Sequence, residues 1–335
     1  MHNLISRRGF ARWLGAPVAA ACAQWPLASV ASEFKKIEMV RVVLGVPAGS
    51  MVDNIARQVA QIIREDYAVN AMVENKTGAG GSLALGYFKT LPKDGSSIYV
   101  GVSSPITVYP VTYKTLPYDP DKDLVPVGSL GGFDLALAVG PMVPASVKDL
   151  KGYFEWCRQN PEKANFGSPG AGSMPHFVGS MTANVAGVEL SHVAYRGPGP
   201  AVLDLQGGMV SAVVVPLVDL TELATQGRIR ILGTTGEVRS RAVPQVPTFK
   251  EQGFGEYAKS VWIAVFAPAG MPEAALTRLR ENLQRNLAKP EVRDAMGRQL
   301  QEVKWGGPEQ LKAQITQERA SWQKAVQTLK FTPES

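Results

Sequence analysis

The sequence predicts an α/β fold of two domains, and three observations support this prediction. The chain has 335 residues, which is too long for one small module and suits two domains of ordinary size. It is 45% hydrophobic and 19% charged, a composition that can fill sizeable cores. Along most of the chain, a strand pattern, a glycine-rich loop and a helix pattern follow one another repeatedly. Such alternation is typical of parallel sheets covered by helices.

The N-terminal segment precedes this alternation and is typical of an export signal. Residues 6–10 (Ser-Arg-Arg-Gly-Phe) match the twin-arginine pattern, and the apolar stretch at 14–23 is too short to span a bilayer. We expect a cleaved signal peptide over residues 1–31, with cleavage after Ala31 favoured over cleavage after Ala23. The mature protein is then periplasmic. The alternative is a buried N-terminal helix.

The charge balance argues against a nucleic-acid partner. The chain has 35 Lys and Arg against 29 Asp and Glu, a net charge of +6. The predicted leader has three arginines and no acid, so the mature chain would keep 32 basic against 29 acidic residues, a net of +3. No clustered basic stripe is visible in it. Two cysteines cannot form a disulfide framework, and Cys157 has the surroundings of a buried core thiol.

The first set of elements begins directly after the predicted leader. Residues 39–46 form a β-branched run, residues 52–66 have the apolar spacing of a helix, and residues 71–74 suit a short strand. A helix pattern at 83–91 and a strand at 97–102 complete this set.

A second set of elements begins with an apolar strand at 135–139. Helix patterns then occupy 174–186 and 201–205, and strand patterns occupy 165–167, 210–215, 229–234 and 261–266. The remainder is helical, at 272–288, 290–299 and 308–329, and each of these helices begins at or near a proline.

Three loops between strands and helices consist mainly of Gly, Ser and Ala: 47–50, 77–82 and 168–173. In open α/β sheets, ligands sit at the carboxyl ends of strands, where the next helices begin. Small residues allow close approach to the backbone, and free amides with the positive end of a helix dipole favour an anion. Because the loops contain no Lys or Arg, they predict a carboxylate-sized anion held by neutral donors. The alternative is that the glycines only make tight turns.

Catalytic, nucleotide and metal motifs are absent from the sequence. It has no Gly-x-x-x-x-Gly-Lys-Ser/Thr, and residues 170–175 fail Gly-x-Gly-x-x-Gly at the last position. It also lacks a Gly-x-Ser-x-Gly elbow and a His-Glu-x-x-His pair. His176 and His192 therefore suit structural roles. We expect no catalytic residue, no cofactor and no metal site.

Eight stretches together resemble the Bug family, the extracytoplasmic solute receptors of tripartite tricarboxylate transporters. They cover nearly the whole mature chain in order, and they are specific as a set although each is weak alone. They lie at 46–57, 73–81, 116–120, 167–176, 192–197, 204–208, 246–248 and 267–270.

The resemblance implies a periplasmic-binding-protein fold of the second type, with two Rossmann-like lobes joined by a two-strand hinge. The crossings would lie near 135–139 and 262–266. Lobe 1 would be discontinuous, at 32–134 and 262–335, and lobe 2 would span 135–261. The receptor would close around a small carboxylate and deliver it, as a monomer, to the large and small membrane subunits of a transporter.

In the family, the loop after the first strand and the loop that opens the second lobe's helix hold a ligand carboxylate like a pincer. The resemblance carries this role to Ala48, Gly49, Ser50, Asp53, Ser168, Gly170, Ala171, Gly172 and Ser173. Two departures affect the ligand's identity. The usual Gly-Gly pair is Gly49-Ser50 here, and Pro169 removes one amide donor.

The residues themselves suggest further ligand contacts. Ser103 and Ser104 end a strand and could donate into the cleft, and Arg196 could pair with a carboxylate or form a structural salt bridge. Asp53 either favours the helix dipole or meets a ligand amino or hydroxyl group. Packing is the simpler expectation for Phe133 and Tyr195.

The sequence as a whole predicts a periplasmic receptor and not an enzyme. Di- and tricarboxylates, aromatic carboxylates and acidic or amidated amino acids all remain candidate ligands. Two alternatives stay open: a sensory module that presents its ligand to a membrane kinase, and an exported enzyme.

Overall fold

Two β-sheets with flanking helices organise the chain in the computed structural model, which describes residues 35–255, 259–300 and 302–328. The predicted signal peptide at 1–31 and both of its cleavage positions lie outside the described residues. Within the described ranges, no helix is both long enough and apolar enough to cross a membrane.

In chain order the strands are β1 (Ile37–Leu44), β2 (Ala68–Asn75), β3 (Ser97–Val102), β4 (Leu124–Phe133), β5 (Leu135–Val139), β6 (Asn165–Ser168), β7 (Ser191–Ala194), β8 (Ala212–Pro216), β9 (Arg230–Thr234), β10 (Val261–Pro268) and β11 (Glu302–Gly306). The helices are α1 (Met51–Ile63), α2 (Ser82–Phe88), α3 (Tyr109–Thr112), α4 (Pro120–Asp123), α5 (Leu150–Gln159), α6 (Met174–Val185), α7 (Pro198–Gln206), α8 (Val218–Thr225), α9 (Glu273–Leu287), α10 (Pro290–Gly297) and α11 (Pro308–Thr328).

The six-stranded sheet has the order β11-β4-β10-β3-β1-β2, and the five-stranded sheet has the order β7-β6-β8-β5-β9. We call the part of the chain around the first sheet the six-stranded lobe and the part around the second the five-stranded lobe. The six-stranded lobe takes strands from both ends of the chain, because β10 and β11 return to it after β9. The α/β two-lobed fold predicted from the sequence is therefore confirmed.

The parallel pairing that the alternation predicts is observed in only part of each sheet. β1 pairs in parallel with β2 and β3, and β6 pairs in parallel with β7 and β8. In contrast, β10 runs antiparallel to β3 and β4, and β5 runs antiparallel to β8 and β9. The reason is the crossing between lobes: β4 leaves the six-stranded sheet where β10 enters it, so their directions must oppose.

The two crossings lie side by side. Phe133, the last residue of β4, pairs with Val261, the first residue of β10. Asp134 joins β4 to β5, and Ser260 precedes β10. The Ser260 hydroxyl donates a hydrogen bond of 2.5 Å to Asp134 Oδ1. The chain thus crosses between the lobes twice, through two adjacent segments that a hydrogen bond joins.

Helix α1 shows how the local sequence positions the site. Ile55, Val59 and Ile63 follow one another at four-residue spacing and are completely buried, so one face of the helix packs into the core. Ser50 caps its amino end, where the Ser50 Oγ accepts a hydrogen bond from the Asp53 amide. The strand β1 therefore ends in a loop whose following helix starts at a fixed point.

Candidate functional site

A cavity of about 660 Å³ lies between the lobes, where the strands β1, β3, β6 and β8 end. All three loops that the sequence singled out contribute to its wall. Its lining includes Pro47 and Ser50 of the first loop with the flanking residues 45–46 and 51–52, residues 77–81 of the second loop, and 169–171 with Ser173 of the third. A pocket at the carboxyl ends of strands in both lobes is the usual ligand position of such sheets.

The first loop is held from behind by a buried carboxylate. Asp53 is completely buried and accepts three hydrogen bonds, from the Gly49 amide at 2.8 Å, Asn75 Nδ2 at 2.9 Å and Arg57 Nε at 2.9 Å. Burial alone would raise the pKa of Asp53, but the bonds from Asn75, Gly49 and Arg57 outweigh it and lower the pKa. The Asp53 side chain does not line the cavity, so its role is to fix the loop.

The amino end of α1 supplies the open donors of this loop. The Gly49 amide donates its hydrogen bond to Asp53. Ala48 and Gly49 are exposed and do not line the cavity. Ser50, Met51 and Val52 line the cavity. Among the described residues, no group accepts a hydrogen bond from the amide of Met51 or of Val52. These amides and the helix dipole suit an anion.

The second loop brings backbone close to backbone. Gly78, Gly80 and Gly81 all have positive φ, and so does Ala79, at 44°. A Cβ built on Gly45 would lie 2.5 Å from the Gly81 Cα, so only glycine fits there. A side chain held at positive φ is strained, and such strain is often found at ligand sites.

Hydroxyl groups organise the third loop around one carbonyl. The Ser173 Oγ donates to the Gly170 oxygen at 2.6 Å, and the Ser168 Oγ donates to the same oxygen at 3.2 Å. Ser168 also lies 2.8 Å from His192 Nε2. The donor of this second bond is set by the His192 tautomer: Nε2 donates when it carries the ring proton and accepts when Nδ1 carries it.

Two stacked histidines underlie the same loop. The rings of His176 and His192 are 3.7 Å apart at 12°, and His176 Nδ1 accepts a hydrogen bond of 3.0 Å from the Gly172 amide. Burial lowers the pKa of His176 to about 4, and burial together with His176 lowers that of His192 to about 3. Both rings are therefore neutral at pH 7. In the described residues, no three His, Cys, Asp or Glu side chains gather to hold a metal ion.

The two lobes make polar contacts beside the cavity. The Met174 amide donates to Ser104 Oγ at 3.1 Å, and the Tyr113 hydroxyl donates to the Ala171 carbonyl at 2.9 Å. Ser103, next to Ser104, is completely buried and does not line the cavity. A ligand in the cavity is thus enclosed by groups that also join the lobes.

Two charged side chains line the cavity in the described part of the chain. Arg196 is exposed and forms no ion pair with a described residue. A Cβ built on Gly197 would lie 3.7 Å from Pro47 Cγ, so the Arg196 segment lies against the first loop. The other charged residue is Asp219, which the sequence analysis missed.

The structure divides the predicted site residues into two groups. Those that line the cavity are Ser50, Ser104, Gly170, Ala171, Ser173 and Arg196. Those that lie behind or beside the wall are Ala48, Gly49, Asp53, Ser103, Ser168 and Gly172. Asp53 and Ser168 support loops through hydrogen bonds, and Gly172 does so by donating to His176.

Several lining residues were missed or assigned to packing. Tyr195 and Phe133 line the cavity, although packing seemed the simpler expectation from the sequence. Tyr109 and Tyr113 also line it and gave no signal in the sequence; they lie at the two ends of the short helix α3, which follows a π-helical turn at Ser104–Val108. Asp219 had one signal: it is a charged residue just after the carboxyl end of a predicted strand.

The sequence matches one protein family over most of its length. The family described as "Tripartite tricarboxylate transporter family receptor" (TctC) matches residues 55–331. A UPF0065 protein from the tcbD–tcbE intergenic region of Pseudomonas sp. strain P51 is 32% identical over 283 residues, which are 84% of this chain and 83% of that protein. Protein BugT of Bordetella pertussis is 27% identical over 296 residues, or 88% and 90% of the two chains.

Solved structures of similar fold include two with bound carboxylates. Rpa4515 of R. palustris, solved with adipate, is 26% identical, with a TM-score of 0.80 over 89% of this chain and 99% of that chain. MatC of Rhodopseudomonas palustris, solved with bound malate, is 25% identical, with a TM-score of 0.77 over 87% and 99%.

Proposed function

The chain belongs to the tripartite tricarboxylate transporter receptor family, a family of periplasmic solute-binding receptors and not of enzymes, and on that premise we propose that it captures a small carboxylate in the cavity between its lobes. One observation supports this most directly: Arg196, a cation without an ion-pair partner in the described chain, lines the same cavity as the amino end of α1. Relatives solved with adipate and malate are consistent with a carboxylate ligand.

The cavity has the size and chemistry for such a ligand. Its volume of about 660 Å³ lies within the range of roughly 300–1,000 Å³ that is usual for small-molecule sites. The ligand carboxylate would accept hydrogen bonds from the amides of Met51 and Val52 and pair with Arg196. The tyrosines 109, 113 and 195 would enclose the rest of the ligand. Asp53, Ser168 and the histidine pair would keep the loops in place.

Ligand capture would proceed by a hinge motion. The natural hinge is the pair of crossings at Asp134 and Ser260, so that the six-stranded lobe would move as one body and the five-stranded lobe as the other. The bonds from Met174 to Ser104 and from Tyr113 to Ala171 form only when the lobes approach, so they favour the closed state. A ligand bridging both lobes would shift the population toward closure.

The partner would be a membrane transporter. We propose that the exported receptor acts in the periplasm as a monomer and presents its closed, loaded form to the large and small membrane subunits. The loop rims around the cavity move relative to one another on closure, so they are the surfaces through which such subunits could distinguish loaded from empty receptor.

Calorimetric titration of the exported, purified protein against a panel of carboxylates tests this proposal. We expect one class of carboxylate to bind, and Arg196→Gln to weaken that binding at least about tenfold through loss of a charged, bidentate contact. Arg228→Gln is the matched control, because Arg228 is exposed in the same lobe and does not line the cavity. Binding of no carboxylate, or equal effects of the two substitutions, would overturn the proposed site.

A further inference from the structure

Asp219 is the one acidic side chain that lines the cavity in the described part of the chain. It lies in the first turn of α8, directly after β8. Its Oδ2 is inaccessible to solvent and accepts a hydrogen bond from no described group. An acidic residue in a first turn suits the helix dipole, but the dipole does not provide the hydrogen bonds that a buried carboxylate oxygen needs.

Among the described residues, no cation forms an ion pair with this carboxylate. Of the strands and helices packed on α8, β8 carries no titratable residue, whereas α7 carries Asp204 and β9 carries Arg230. Asp204 accepts the Tyr195 hydroxyl at 2.7 Å. Arg230 donates to the carbonyls of residues 143, 144 and 147.

Two further charged residues also leave Asp219 unpaired: Glu222, on the same helix, and Arg196, in the same cavity wall. Glu222, on α8 itself, accepts a hydrogen bond from Gln226. Arg196 lines the same cavity but forms no ion pair with Asp219. Burial alone raises the pKa of Asp219 to about 6, so the side chain is mostly ionised at pH 7 and has no countercharge.

A ligand with two carboxylates and nothing else would meet repulsion here. If its first carboxylate pairs with Arg196 and the α1 amides, a second carboxylate reaching across the cavity approaches another anion. An uncompensated charge in a partly apolar wall is costly, and a cationic or hydrogen-bond-donating ligand group relieves that cost. The cavity wall therefore carries one positive and one negative side chain, the complement of a zwitterion.

We propose that Asp219 selects ligands that carry an ammonium group as well as a carboxylate, which makes α-amino acids the preferred substrate class. This inference rests on the proposed function, since it needs a carboxylate anchored at the α1 end of the cavity. Asp219 would accept hydrogen bonds from the ligand ammonium, and Arg196 would hold the carboxylate.

Matched ligand pairs that differ by one amino group test the inference: aspartate and succinate, glutamate and glutarate, 2-aminoadipate and adipate, phenylalanine and 3-phenylpropionate. Calorimetry of the exported protein at pH 7.5 should show the amino member of a pair binding at least about tenfold more tightly. In Asp219→Asn that preference should vanish, with tighter binding of the deamino member. Glu222→Gln, an exposed change on the same helix, is the control and should leave both affinities unchanged.

The pH dependence separates a direct contact from a structural role. As the pH is lowered from 7.5 to 5, Asp219 takes up a proton, so affinity for the amino member of each pair should fall and affinity for the deamino member should rise. The Asp219→Asn variant should show neither trend. Equal binding within every pair, with Asp219→Asn indistinguishable from the unmodified protein, would overturn the inference and leave the carboxylate receptor standing. Binding of no pair member and of no other carboxylate would overturn both.

Discussion

Asp53→Asn provides the sharpest test of how the first loop is built. The substitution keeps the shape of the side chain and removes its charge. All three partners of Asp53, the Gly49 amide, Asn75 Nδ2 and Arg57 Nε, are donors. An asparagine offers one acceptor oxygen and one NH₂ group, so at least one buried donor must face another donor.

The magnitude follows from that mismatch. Leaving a buried polar group unsatisfied costs about 1–3 kcal/mol, and Asp53 is completely buried. A loss of about 2 kcal/mol should lower the Tm by roughly 3 °C in a protein of this size. Ligand affinity should fall as well, because the same loop orients the amides of Met51 and Val52.

Thermal unfolding followed by circular dichroism measures the effect. Asp149→Asn is the control: Asp149 caps α5 in the other lobe, and asparagine caps helices equally well. The pKa of Asp53 is lowered in the folded protein, so its contribution is present above the ordinary carboxylate pKa and is lost as the pH falls through the lowered value. The difference between the two proteins should therefore shrink below about pH 4. An unchanged Tm for Asp53→Asn would refute the supporting role.

Three further outcomes follow from the structure. The pKa values of His176 and His192 are lowered to about 4 and 3, so the free energy of unfolding should fall as the pH drops from about 6.5 toward 4. Replacing both histidines with leucine should flatten that part of the pH profile, measured by urea denaturation. Gly131→Ala should lower the free energy of unfolding by several kcal/mol in the same assay, because φ is 135° and a Cβ would overlap the neighbouring strand. Gly187→Ala, with open space around its Cβ, should lower it by only about 1–2 kcal/mol. Tyr113→Phe should weaken carboxylate binding by a few fold with little change in the Tm of the empty protein, since the Tyr113 hydroxyl forms a hydrogen bond across the lobes. A clear fall in the Tm of the empty protein would instead assign the hydroxyl a role in folding stability.

Helices and strands were predictable where the spacing of apolar residues in the sequence matched the faces that are buried in the fold. The strand predicted at 97–102 is the observed β3, and the apolar run at 135–139 is the observed β5. Both are nearly continuous apolar sequences because both faces of a central strand are covered. The helix predicted at 174–186 ends one residue earlier in the structure.

Strand β4 could not be predicted because its local sequence contradicts its structure. It contains a proline and three glycines, which normally break strands. Gly131 in β4 approaches the backbone of β11 too closely for any side chain, so the glycine is required by a contact with Glu302, far later in the chain. Such long-range demands are invisible in a local pattern.

The candidate site was predictable as loops but not as an arrangement of side chains. Composition identified the three glycine-rich loops, and all three meet at one cavity. The orientation of side chains within a loop depends on partners from distant parts of the chain, which a local sequence pattern does not show. Asp53 stays out of the cavity wall because Asn75 and Arg57 bind it, whereas Asp219 lines the cavity and its Oδ2 has no hydrogen-bond partner in the described chain.

The two anchoring loops are held by chemically different supports, and this has a consequence for acid. The first loop depends on an ionised carboxylate whose pKa is lowered, so its support persists down to about pH 4. The third loop depends on the neutral histidine pair, and the unfolded chain begins to take up protons at those positions below about pH 6.5. Acidification from about pH 6.5 should therefore lower the folding stability through the histidine pair before it does so through Asp53. Over the same pH range Asp219 becomes protonated, so the folding stability and the charge that would attract an ammonium decline together.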